Sequence, residues 1–116
     1  MKQSNNINVA LYCRAENAMD EPYAIRNQEK KLYAFAKDNG YLPCAVYSDN
    51  IYSDISPERP AFQRLLRDIL AGKITHIVVK DVTRLFRDIA QFHWFFDLCD
   101  HRGIIIVSLE QGGTMK

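Results

Sequence analysis

The chain lacks most of the features that would place it in a specialised class. Its three cysteines, Cys13, Cys44 and Cys99, are odd in number, far apart and outside any C-x-x-C spacing. That excludes a disulfide framework and a cysteine-built metal site of the usual kind, and reads as buried or idle thiols in a reducing compartment. No apolar run is long enough to span a bilayer, and the polar start Met1-Lys2-Gln3-Ser4-Asn5-Asn6 has no signal-peptide core. The expectation is a soluble, cytoplasmic protein with no membrane partner. Charge of one sign is lacking too: 15 basic residues face 14 acidic ones, for a net charge of +1. Bulk electrostatics therefore does not advertise nucleic acid, and any anion site must be a local cluster. Neither a P-loop nor G-x-G-x-x-G occurs, which excludes nucleotide binding of those two kinds. His76, His93 and His101 have no metal-ligand spacing and read as structural or surface residues.

What is present is enough apolar material for one core: 47% of the 116 residues, a length that fits a single domain. Ile7-Asn8-Val9-Ala10-Leu11-Tyr12-Cys13 is a strand-like run. A helix is expected from Asp20, a capping residue, to Gly40, with Ile25, Leu32, Phe35 and Ala36 as its buried stripe. Cys44-Ala45-Val46-Tyr47 is the second strand, opening into a polar loop over residues 48–58. A second helix begins near Arg59-Pro60, with Phe62, Leu65, Leu66, Ile69 and Leu70 on its apolar face and Gly72 at its end. Residues 74–79 form a third strand, followed by a charged turn over 80–88 and a third helix to about Arg102. In that helix Phe92, Trp94, Phe95, Phe96 and Leu98 supply core packing with an exposed remainder. Residues 104–109 are the fourth strand. The order β-α-β-α-β-α-β predicts an α/β fold: a three-layer, open, mainly parallel sheet with helices on both faces.

In such sheets the binding crevice lies beyond the carboxyl ends of the strands, where strand order reverses. Arg14 and Glu16 follow strand 1, and the loop after strand 2 carries Ser53 and Asp54 and delivers Arg59. Strand 3 leads to Arg84 and Arg87, three residues apart and so on one face of a helical turn. Four arginines from three segments suit a phosphodiester, because the guanidinium fork matches phosphate oxygens and stays charged. The plainer alternative is that they are solvated or paired with Asp54, Glu58, Asp81 and Asp88.

Several stretches together resemble the resolvase/invertase, or serine recombinase, family, most closely the large recombinases of mobile elements. They are Tyr12-Cys13-Arg14, Ile25-Arg26-Asn27-Gln28, Tyr52-Ser53, Glu58-Arg59-Pro60-Ala61-Phe62 and the run from Val79 to Asp88. The resemblance covers almost the whole chain in order. It implies a DNA strand-cleaving and strand-exchanging domain that acts on double-stranded DNA without metal, cofactor or small-molecule substrate. It also implies a homo-oligomer, a dimer or tetramer, or pairing with an active recombinase. In the family a serine two residues after the first arginine attacks the scissile phosphate. The resemblance assigns Arg14, Arg59, Arg84 and Arg87 to phosphate binding and transition-state stabilisation, Ser53 to the supporting loop, and Gln28 to the helix lining the site.

The chain departs from that pattern where the chemistry lies. Glu16 stands at the position of the nucleophile. Carboxylate attack would give a labile acyl phosphate in place of a stable ester. Its charge would also repel a phosphate by about 1 kcal/mol at about 4 Å in water. Asp54 and Phe86 stand where the family has glycine. The expectation is an impaired enzyme, whose catalytic positions are Arg14, Glu16, Arg59, Arg84 and Arg87. The alternative is a non-catalytic DNA-binding or regulatory module that keeps the fold. A phosphate-signalling receiver is set aside, because strand 1 ends in Cys13-Arg14 where a receiver has acids. The resemblance also leads to the expectation that residues 1–116 are a catalytic core lacking the dimerisation helix and the DNA-binding region, ending about where that helix starts.

Overall fold

The computed structural model describes residues 8–15, 24–49, 59–86, 88–110 and 113–115. The chain runs β1 (Val9–Arg14), α1 (Ala24–Asp38), β2 (Cys44–Asp49), α2 (Pro60–Leu70), β3 (His76–Val79), a 3-10 turn (Val82–Arg84), α3 (Ile89–His101), β4 (Ile105–Ser108) and β5 (Gly113–Met115). The sheet order is β2-β1-β3-β4-β5, with β4–β5 antiparallel and the other neighbours parallel. This is the expected mainly parallel α/β fold, with one addition at its edge. Residues 113–115, to which the sequence reading gives no element, pair with β4 as a strand. The register sets Ser108 against Gly113, so the chain doubles back after β4 and extends the sheet.

Alternation along β1 explains the layers, since successive side chains of a strand point to opposite faces. Ala10 and Tyr12 face a core built with Phe62, Leu65 and Ile69 of α2 and Phe95 and Cys99 of α3. Val9, Leu11 and Cys13 face a second core closed by Leu32 and Ala36 of α1. The connection through α1 steps one way across the sheet, and those through α2 and α3 step the other way. With crossovers of one hand, that reversal puts α1 on one face and α2 and α3 on the other.

The expected apolar stripe of α1 is borne out by buried Leu32 and Ala36, with Ile25 and Phe35 packed against that core. On α2, Leu70 is an exception: it is 56% exposed, because the helix ends there and turns away through Gly72 at φ 76°. On α3, Phe95 and Cys99 are buried, whereas Ile89 and Trp94 remain exposed, the remainder the sequence implied. The strand ends also shift. β1 continues through Arg14 and β2 through Asp49, each two or fewer residues beyond its apolar run, because main-chain pairing with a neighbour outlasts the hydrophobic pattern. Among the described residues, no helix is long and apolar enough to cross a membrane.

Candidate functional site

Strand order reverses around β1, with β2 on one side and β3 on the other. Their carboxyl ends deliver Arg14, Asp49 and the segment Lys80–Phe86. Arg59 enters from the start of α2. Arg14, Arg59 and Arg84 therefore meet at the switch point, where the sheet rule sends ligands.

Two of the three side chains meet at one backbone oxygen. Arg14 Nε donates to the Arg84 carbonyl at 2.9 Å, and Arg59 Nη2 donates to the same oxygen at 3.1 Å. Arg14 Nη2 donates to the Thr83 carbonyl at 2.7 Å, and Arg84 Nη1 returns a bond to the Arg14 carbonyl at 3.2 Å. Three like charges are thus tied together by carbonyls, the negative ends of peptide dipoles. Asp81 adds an anion, with its Oδ2 3.5 Å from Arg84 Nε. Asp81 also caps the 3-10 turn, accepting from the Thr83 backbone N–H at 3.0 Å and from the Thr83 hydroxyl. The 3-10 turn covers Val82–Arg84, and the expected helical turn linking Arg84 to Arg87 reaches outside the described residues.

Arg59 is held in an unusual way. It is the N-cap of α2 with φ 47°, in the left-handed region, and makes no side-chain cap. That conformation costs a non-glycine residue about 1 kcal/mol or more. The capping role passes to buried Asp49, whose carboxylate accepts from the Ala61 and Phe62 N–H groups at 2.8 and 3.0 Å. Asp49 also accepts from the Tyr12 hydroxyl at 2.5 Å. The Tyr12 oxygen in turn accepts from Arg59 Nη2 and Nε at 3.0 and 3.3 Å. Tyr12 thus bridges Arg59 to Asp49, whose carboxylate rests on the positive end of a helix. Burial pushes the Tyr12 hydroxyl well above its ordinary pKa, the nearby Arg59 charge opposing, so Tyr12 stays a donor to Asp49. The Arg59 guanidinium carbon also lies 4.2 Å from the Phe62 ring centroid, 5.0 Å from Phe86 and 5.4 Å from Tyr12.

Gln28, only 6% exposed, uses its amide on the backbone of Arg14: Oε1 accepts from the Arg14 N–H at 3.2 Å, and Nε2 donates to its carbonyl at 3.0 Å. It sits in α1, and its polar atoms fix the end of β1. Glu16, Ser53, Asp54 and Arg87 lie outside the described residues. Sequence reasoning gave no role to Asp49, and noted Tyr12 only within a motif. Asp49 had a usable signal, an acid at the carboxyl end of β2, hidden because that strand was expected to end at Tyr47. Phe86 as a wall around Arg59 leaves no local signal, since it comes from a different segment, whereas Phe62 stands three residues after Arg59.

The cysteines behave as expected. Cys13 and Cys99 are buried and free, and burial pushes each thiol up to about 12. His76 is partly buried, with Nδ1 2.9 Å from the Thr75 hydroxyl oxygen and its ring 4.9 Å from that of Tyr41. Among the described residues, no group of three or more His, Cys, Asp or Glu side chains is placed to hold a metal ion.

Comparison with known proteins adds a family. Residues 9–116 match the family described as resolvase, N-terminal domain. The N-terminal catalytic domain of TP901-1 integrase is 28% identical, with a TM-score of 0.77 over 90% of this chain and 79% of that one. A resolvase family site-specific recombinase from Streptococcus pneumoniae is 27% identical, with a TM-score of 0.82 over 94% of this chain and 76% of that one. A serine recombinase from Sulfolobus solfataricus is 29% identical, with a TM-score of 0.72 over 90% of this chain and 69% of that one. No curated protein matches the chain.

Proposed function

The chain belongs to the resolvase family through its N-terminal domain, and from that premise we propose that its arginine cluster holds a DNA phosphodiester, at a recombinase centre silenced by Glu16. The observation that carries this reading is the meeting of Arg14, Arg59 and Arg84 at the sheet's switch point, where Arg14 and Arg59 donate to the Arg84 carbonyl and Arg84 donates to that of Arg14. Three guanidinium groups fixed before a ligand arrives oppose the negative charge that a phosphodiester spreads over its oxygens during displacement, without reorganising when it forms. Gln28 is a positioning residue that sets the Arg14 backbone. Arg87 and Ser53 join the site by resemblance alone.

The same resemblance puts Glu16 where the attacking hydroxyl belongs. A serine ester of DNA conserves the phosphodiester energy and lets the strand be rejoined. A carboxylate would form a mixed anhydride that water cleaves, ending the cycle. Glu16 also brings a negative charge toward the phosphate and offers the arginines an internal partner. The reading is therefore a cytoplasmic catalytic core of a DNA strand-exchange protein, residues 1–116, impaired in cleavage. It would assemble as a dimer or tetramer, or beside an active relative. Glu16 equally favours a second reading, a DNA-binding or regulatory module that has given up cleavage.

Duplex binding across a salt series tests the proposal. Each neutralised phosphate contributes a slope of about −0.9 in log K against log salt, so three to four contacts predict roughly −3 to −4. Arg59→Gln should reduce the steepness by about one contact. Binding that ignores salt, or no binding at low salt, contradicts it.

A further inference from the structure

We propose that Phe86 is a positioning residue for Arg59, fixing the direction in which that guanidinium meets an anion; this rests on the reading that Arg59 faces a DNA phosphate. The guanidinium stands in a corner built by two rings. Phe62 is 3% exposed and anchored in α2, with its centroid 4.2 Å from the Arg59 guanidinium carbon. Phe86 lies 5.0 Å from the same carbon and 5.3 Å from Phe62, with the two rings nearly perpendicular at 82°. Phe86 is itself braced, by Phe95 at 5.9 Å between centroids and by a backbone bond from its N–H to the Val82 carbonyl at 3.1 Å.

The segment that supplies this ring also supplies the oxygen Arg59 donates to, the Arg84 carbonyl two residues earlier. One short stretch thus grips Arg59 twice, by a hydrogen bond at its edge and by an aromatic wall. Nε and Nη2 are engaged by Tyr12 and Arg84. Nη1 makes no hydrogen bond among the described residues, which leaves it as the end presented to a ligand. An arginine free to rotate loses about 2 kcal/mol of rotamer entropy when immobilised, and a braced one has lost much of it before binding. Phe86 is also a place where the sequence departs from the family's glycine, so this brace is a feature of this chain's own residues.

Arginine side-chain NMR on the 116-residue chain, with a short DNA duplex added at low salt, tests the assignment in the wild type, Phe86→Leu and Phe86→Tyr. Leucine keeps apolar bulk without a π face, and tyrosine keeps the ring. The expected result is an Arg59 Hε signal displaced by ring currents in the wild type and in Phe86→Tyr, moving toward the ordinary arginine position in Phe86→Leu. Duplex affinity should fall about two- to five-fold in Phe86→Leu, the size of one exposed cation–π contact, and be retained in Phe86→Tyr. An unmoved Arg59 signal in Phe86→Leu overturns the assignment, as does an affinity loss equal in both variants. If the duplex binds none of the three proteins, the phosphate reading falls, while the Arg59 signal still decides whether Phe86 braces it.

Discussion

Arg14 and Arg84 each donate a side-chain hydrogen bond to the other's backbone carbonyl, at 2.9 and 3.2 Å, across a separation of 70 residues. The interlock joins the end of β1 to the turn after β3, and makes the cluster part of the fold as well as a candidate site.

Arg14→Ala should therefore destabilise the chain, by about 1–2 kcal/mol, because the Thr83 and Arg84 carbonyls each lose a side-chain donor. Arg14→Lys should recover only part of this, since a single ammonium cannot reproduce the two-pronged fork. Urea denaturation of the three proteins measures the difference.

Asp49 carries a larger share. Asp49→Ala strips the acceptor from the Tyr12 hydroxyl and from the first N–H groups of α2, all buried. A loss of about 3 kcal/mol is expected in denaturant unfolding. Asp49→Asn keeps one carbonyl oxygen and should lose less.

How much of this was legible in the sequence follows from the range of each signal. The β-α-β order, the α1 stripe and the gathering of arginines at the strand ends rest on periodicity within a segment and on a general rule of parallel sheets, both readable from residue order. The relay Arg59–Tyr12–Asp49 needs three segments in register, which only folding supplies. The strand β5 is too short and glycine-bearing to announce itself. By the family resemblance Phe86 is bulk at a glycine position, and the fold gives that bulk a place against Phe62 and Phe95.

Thiol chemistry should separate the cysteines. With their thiols pushed up to about 12 by burial, Cys13 and Cys99 are protonated and enclosed at pH 8. Only partly exposed Cys44 should react with iodoacetamide in the native chain, although burial raises its thiol as well. Mass spectrometry of the alkylated protein reads the order, and all three should react in denaturant.

Burial lowers the pKa of His76 below its ordinary 6.5. Between the folded value and 6.5 the unfolded chain binds more protons than the folded one, so this residue makes stability rise with pH through that window. Stability should fall as pH drops below about 6.5, and His76→Gln should flatten that part of the profile. Thermal unfolding between pH 5 and pH 8 supplies the comparison.

The central claim is that the arginine cluster is a phosphate site and that Glu16 is its brake. Backbone amide NMR during titration with a short DNA duplex at low salt, run in parallel on the wild type and Glu16→Ser, addresses both halves. Shifts should cluster at Arg14, Arg59 and Arg84, be larger at a given duplex concentration in Glu16→Ser, and fade as salt rises. Shifts scattered over the surface, or equal binding by the two proteins, would contradict the claim.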